Sequence, residues 1–176
     1  QPVKTIIVMV VDGLGWHNLQ ARRGHARHLT ALDGEPITTV FPTTTGAALS
    51  TLTTGTMPGA HGLVGYRIRH PQLGLRTTLS QWQDITDVRT WQRQRTVFER
   101  AHDVGVTSHV IGRTAHQQGG LTEAILTGAI YHPHDTIEAR CEQAIALAHG
   151  AQSPTLIYAY VDELDRAGHA FGWQSN

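Results

Sequence analysis

One cysteine, Cys141, is all that the 176 residues contain. An internal disulfide framework is excluded, and the count says little about compartment. Long apolar runs are missing as well. The longest, IIVMVV at residues 6–11, is far short of the roughly 18 residues that a membrane span needs. There is no excess of charge: Lys and Arg number 14 against 14 for Asp and Glu, so no long-range field draws nucleic acid or an anionic membrane. Without a basic stripe beside them, Trp16, Trp82, Trp91 and Trp173 read as core or loop anchors, not base-stacking platforms. No repeat, low-complexity tract or interdomain linker interrupts the chain. No signal-peptide pattern opens it, which favours a cytoplasmic protein; an initiator Met is also missing, so a trimmed export signal stays open. What is present is enough apolar residue, 40%, for one ordinary core, and an unusual 12 histidines. Such a count invites a search for metal or proton chemistry.

The hydrophobic pattern alternates between two periods. TIIVMVV (5–11) reads as a buried parallel strand ending at the turn DGLG. WHNLQARRGHARHLTALDG is weakly amphipathic and predicts a helix stopped by Gly34. EPITTVFP (35–42) predicts a second strand. TTTGAALSTLTTG (43–55) predicts a helix with a threonine near its cap and Gly55 at its end. Residues 56–90, rich in Gly, Pro and His, read as a loop excursion. TVFERAHDVG and LTEAILTGA predict helices flanking a strand at 106–112. DTIEARCEQAIALAHG predicts a longer helix, with Asp135 and Glu138 as its capping box. TLIYAYVD (155–162) is the last strand. Strands alternating with helices predict an α/β fold, a mainly parallel sheet sandwiched by helices, formed by a single domain over 1–176. Ligands in such sheets bind beyond the carboxyl ends of strands, so the segments ending there are expected to converge on one site.

Three clusters sit at those ends. Asp12 closes the first strand, as a turn former or as a hard carboxylate ligand. Thr43, Thr44 and Thr45 precede the small residues Gly46, Ala47 and Ala48, where a helix start leaves amides open to an anion; the threonines serve equally well as caps. A hydroxyl there becomes a nucleophile if a metal lowers its pKa. In VDELDRAGHAFG, Asp165 and His169 are spaced i, i+4 and share a helix face, either as a surface ion pair or as two ligands of one ion. Asp162 and Glu163 either orient that pair or are merely solvated. His61 in a glycine-rich loop packs, orients a neighbour or meets substrate. HPHD (132–135) could clamp a metal, but Pro133 stiffens it and favours a structural role.

Taken in order, VVDGLG, FPTTTGAALSTLTTGTMPGAHGLVGY, TVFERA and YVDELDRAGHAFG resemble the nucleotide pyrophosphatase/phosphodiesterase (type I phosphodiesterase) branch of the alkaline phosphatase superfamily. The resemblance runs from near the first residue to near the last. It implies an alkaline-phosphatase-like sheet carrying two Zn2+, or other divalent ions, and a small-molecule phosphate ester such as a nucleotide as substrate. It carries the nucleophile onto Thr45, with Thr44 as the fallback in register. It carries one metal's ligands onto Asp12 and Thr45 and the other's onto Asp165 and His169. Beside them, Gly13, Thr44, Gly46, His61 and Asp162 are expected as substrate-binding or supporting residues. Thr45 would attack phosphorus, giving a phosphothreonine that water then hydrolyses.

Two departures matter. Many members carry Asn three residues beyond the nucleophile, and this chain has Ala48. The family's later Asp-His pair and final His should also lie well downstream of His169. The chain is therefore expected to be the N-terminal part of a longer polypeptide, whose remainder completes the site, and to be inactive by itself. The same scaffold hosts phosphomonoesterases, phosphonate hydrolases and sulfatases. A rival from another class is a non-catalytic metal- or ligand-binding module.

Overall fold

The computed structural model describes residues 3–174. Strand β1 (Thr5–Val11) is followed by α1 (Trp16–Ala21), a 3-10 turn and α2 (Arg27–Thr30). Then come α3 (Thr45–Thr54), α4 (Pro58–His61), the strands β2 (Arg67–His70) and β3 (Gly74–Thr77), and α5 (Val97–Asp103). The remainder is β4 (Thr107–Gly112), α6 (Gly120–Leu126), β5 (Ile130–Pro133), α7 (Ile137–Gly150), β6 (Thr155–Val161) and α8 (Glu163–Phe171). The main sheet has the order β1-β6-β4-β5, and β2 with β3 forms a separate ribbon. β4 runs parallel to both β5 and β6. This is the α/β fold expected. No helix among the described residues is long and apolar enough to cross a membrane.

The chain divides into two compact units. One comprises residues 1–8 and 39–159, the other 9–38 and 160–176.

In the first unit, helices cover both faces of β4 and β6, because side chains alternate across a strand. Ile111, Ile157 and Ala159 face Ala144 and Leu147 of α7. Tyr158, of opposite parity, meets Phe98 of α5 edge to face, with ring centroids 6.0 Å apart. A second core gathers Leu63, Trp82, Val88, Trp91, Ala124 and Ile125. Much of it comes from residues 56–90, where the expected excursion carries α4 and the antiparallel β2–β3 ribbon. α5 opens with a full capping box: the Thr96 hydroxyl accepts from the Glu99 amide and the Glu99 carboxylate accepts from the Thr96 amide.

The second unit holds α1, α2 and α8. The single helix expected over 16–34 is broken into short pieces. None of them has a buried residue, so no packed face offsets the cost of about 1 kcal/mol for Gly24 inside a helix.

Three other expectations change, and one strand is new. Residues 35–42 form no strand: Pro36 and Pro42 each lack an amide to donate to a ladder, and Ile37 and Phe41 stay almost fully exposed. β1 is a strand but lies at the sheet's edge, with Ile6, Ile7 and Met9 about half exposed. α7 is capped by Thr136, whose hydroxyl accepts from the Ala139 amide; Asp135 instead accepts from the Thr114 amide at 3.0 Å. β5, four residues long and ending in Pro133, was not legible by period at all.

Candidate functional site

In the first unit, the threonine trio leads into α3. Thr44 is the N-cap residue, extended at φ −89° and ψ 147°, and its side chain makes no capping bond. Its hydroxyl is buried and has no hydrogen-bond partner among the described residues. Thr45 is the first helical residue. The helix's own ladder begins with the Ala48 amide donating to the Thr44 carbonyl at 2.9 Å, so the amides ahead of it have no acceptor inside the helix. Gly46 is required by close approach: a β-carbon there would stand 2.6 Å from the Thr78 hydroxyl oxygen. Thr78 in turn donates to the Gly65 carbonyl at 2.9 Å. The ribbon segment thus buttresses the helix start that carries Thr45.

His61 is fully buried. Its Nδ1 accepts from the Leu63 amide at 3.1 Å, which places the proton on Nε2, 3.0 Å from the Thr51 hydroxyl. Burial lowers its pKa, and a bond to the Ala47 carbonyl only partly offsets this. The enclosed ring thus ties residue 61 to Thr51 of α3.

In the second unit, Asp12 follows β1 directly. Its amide donates to the Val161 carbonyl at 2.8 Å. Its Oδ1 accepts from the Gly13 amide at 2.9 Å, and its Oδ2 accepts from the Tyr160 hydroxyl at 2.6 Å. Gly13 has φ +78°, and a β-carbon on it would lie 2.7 Å from Asp165 Cα. Only glycine lets the turn after β1 touch the first turn of α8. Asp162, almost fully buried, is the N-cap residue of α8. Asp165 and His169 share a face of α8, as the spacing predicts. His169 Nδ1 donates to the Asp165 carbonyl at 2.9 Å and lies 3.3 Å from Asp165 Oδ2. The backbone bond, then the Asp165 carboxylate and the more distant Asp12, raise the imidazole's pKa. With Nδ1 engaged, Nε2 carries the lone pair in the neutral ring. Beside these residues a cavity of about 1000 Å³ is lined by Gly13, Asp165, His169, Arg22, Phe171 and Trp173.

Carboxylate oxygens and an imidazole nitrogen suit a divalent cation such as zinc in kind. They fall short in number, since no three His, Cys, Asp or Glu side chains among the described residues gather into a metal-holding group.

A family model described as type I phosphodiesterase / nucleotide pyrophosphatase matches residues 6–176. The chain belongs to this family. A comparison with curated protein sequences finds no match. Solved structures of family members share the fold. Murine ectonucleotide pyrophosphatase / phosphodiesterase 5 aligns over 97% of this chain at 23% identity and a TM-score of 0.72. An inactive threonine-to-alanine form of the same murine protein, in complex with AMP, aligns over 98% at 22% identity and 0.73. The human counterpart aligns over 92% at 17% identity and 0.61. This chain spans under half the length of each, 46%, 47% and 44% respectively.

Proposed function

We propose that this chain carries the nucleophile and half of the metal ligands of a divalent-metal-dependent hydrolase of phosphodiester or pyrophosphate bonds. The observation that carries the reading is the glycine-only contact between Gly13 and α8, which brings the turn that carries Asp12 against the helix turn that carries Asp165, within a family match spanning residues 6–176. Thr45 is the nucleophile. Its hydroxyl oxygen forms a bond to phosphorus as the bond to the leaving oxygen breaks, and the hydroxyl proton passes to solvent. Water then cleaves the phosphothreonine and restores the hydroxyl. The Gly46 and Ala47 amides at the start of α3 are suited to donate to the phosphoryl oxygens, a task for which Ala48 offers no side-chain donor. Asp12, Asp165 and His169 would hold divalent ions, which supply charge stabilisation to the phosphoryl group when bound. Two zinc ions complete the reading, with ligands beyond this set coming from the rest of a longer polypeptide. A nucleotide substrate is supported by the AMP complex of the murine neighbour, and a threonine nucleophile by the inactivity of its threonine-to-alanine form.

The test is diesterase and pyrophosphatase turnover by the full-length gene product, wild type against Thr45→Ala. Turnover should fall at least about a thousandfold while zinc content holds, in line with loss of a covalent nucleophile. Unchanged turnover defeats the assignment. The shortage of ligands favours one rival, a non-catalytic binding module, and zinc stoichiometry separates the two: two tightly held ions with activity support the hydrolase, one weak ion without activity supports the module.

A further inference from the structure

Two histidines outside the proposed hydrolase residues stand face to face. His109 of β4 and His132 of β5 bring Nδ1 and Nε2 to 3.0 Å, with ring centroids 5.1 Å apart and planes at 49°. The sheet dictates the meeting. His132 pairs with Ile111 in register, and His109 with Ile157. Both rings therefore project to the face on which Ile111 and Ile157 pack against α7. Both are half-buried, and neither makes another hydrogen bond among the described residues. His134, just beyond the end of β5, is held apart by Gln143 of α7, its Nε2 lying 3.3 Å from Oε1.

A neutral pair of imidazoles at this distance shares one proton and is worth about 1 kcal/mol, like other hydrogen bonds. The same two nitrogens nearly match another geometry. On a tetrahedral zinc with nitrogens at ~2.0–2.1 Å, two imidazole ligands stand about 3.3 Å apart. Closing both rings on one ion takes a shift of a few tenths of an ångström and a turn of each ring by roughly 35°, so that both lone pairs meet the ion and not one another. An open cavity of about 420 Å³, lined by His109, Gln143, Leu147, Ser153 and Thr155, gives an ion a way in.

We propose that His109 and His132 form a two-imidazole site for a zinc-class divalent cation (Zn2+, Ni2+ or Cu2+) on the α7 face of β4 and β5, with water completing the coordination shell. Imidazole nitrogen is the donor these ions share. On binding, the proton of the donating ring moves to that ring's other nitrogen, so both lone pairs meet the ion and no net proton is released. Burial lowers the pKa of both rings, with the neighbouring histidines adding to this at His132. That shift favours the neutral form, which is the form that ligates. The site is independent of the hydrolase reading and links β4 to the edge strand β5.

The test strips the protein with chelator and titrates Zn2+ by calorimetry. It uses an Asp12→Asn/Asp165→Asn background, so that the candidate hydrolase ligands do not contribute. One ion should bind, and adding His132→Gln should weaken it at least about tenfold; equal affinity with and without His132→Gln overturns the site. Because a strand substitution can perturb folding, the same Asp12→Asn/Asp165→Asn protein with both histidines intact gives a second measurement. One equivalent of Zn2+ should shift the 15N resonances of His109 Nδ1 and His132 Nε2. Their staying in place overturns the proposal. Phosphodiesterase activity plays no part in either readout, so failure of the hydrolase reading and failure of this site are separately visible.

Discussion

The Tyr160 hydroxyl donates to Asp12 Oδ2 at 2.6 Å across 148 residues of sequence. The two residues stand at the ends of neighbouring strands, and the bond aims a carboxylate that already holds the Gly13 amide on its other oxygen. Tyr160→Phe keeps the ring and removes only this donor. A hydrogen bond to a charged group is worth about 1.5–3 kcal/mol, so chemical denaturation should register a loss toward the lower end of that range. In the full-length protein the variant should also bind zinc about 10–100-fold more weakly, the usual effect of removing a group that orients a ligand. Unchanged zinc affinity would show that Asp12 does not depend on Tyr160 for its aim.

Gly13 meets two constraints at once. Its φ of +78° costs a β-carbon-bearing residue roughly 1–2 kcal/mol, and the added atom would collide with the Asp165 backbone at 2.7 Å. Backbone cannot step aside as a flexible side chain can. Gly13→Ala should therefore destabilise the fold by more than the conformational cost alone, about 3 kcal/mol or more, seen as a lowered melting temperature. Gly24→Ala is the control. Nothing lies within 4 Å of its would-be β-carbon, and it should be neutral or slightly stabilising.

How much of this was legible beforehand depended on what each signal rests on. β1, β4, β6, α3, α5 and α7 were readable because β-branched runs and capped amphipathic stretches carry their own period. The i, i+4 spacing of Asp165 and His169 put them on one helix face as expected. The contact of Gly13 with Asp165 was not readable, since it depends on tertiary approach. Tyr160 was missed for a related reason: an apolar run hides which of its tyrosines ends at a carboxylate. The His109–His132 pair required β5, and a four-residue strand ending in proline has no period to detect. Asp135 and Thr136 compete for one capping position, and only the Thr114 amide decides which of them is released from it.

His61 gives a pH dependence with a defined sign. Its folded pKa lies below the ordinary 6.5 because it is buried, so the unfolded chain binds the proton more readily. The stability it contributes is complete above about 6.5 and is lost as pH falls from there through the lowered folded value. Protonation also turns Nδ1 into a donor facing the Leu63 amide. His61→Asn retains an acceptor near the Nδ1 position. It should lower stability at pH 8 by about 1–3 kcal/mol, the cost of disturbing a buried polar group, while flattening the pH slope between 5 and 7 (urea midpoints over that window measure both). An unchanged slope would mean that another group titrates there.

Thr44 and Thr45 are neighbours with separable roles. An N-cap threonine ordinarily contributes about 1 kcal/mol through its hydroxyl, yet Thr44 makes no capping bond and its hydroxyl is buried without a partner among the described residues. Thr44→Ala should thus be close to neutral in melting temperature, or slightly stabilising, because a buried unsatisfied hydroxyl costs free energy. In the full-length protein it should leave turnover within about threefold of wild type, well inside 1 kcal/mol. Thr45→Ala should abolish turnover with a similarly small change in stability. The reverse result, with Thr44→Ala inactive and Thr45→Ala active, would move the nucleophile by one residue. It would also explain why a hydroxyl at the mouth of α3 is kept without a partner: it would be held ready for phosphorus and not for the helix.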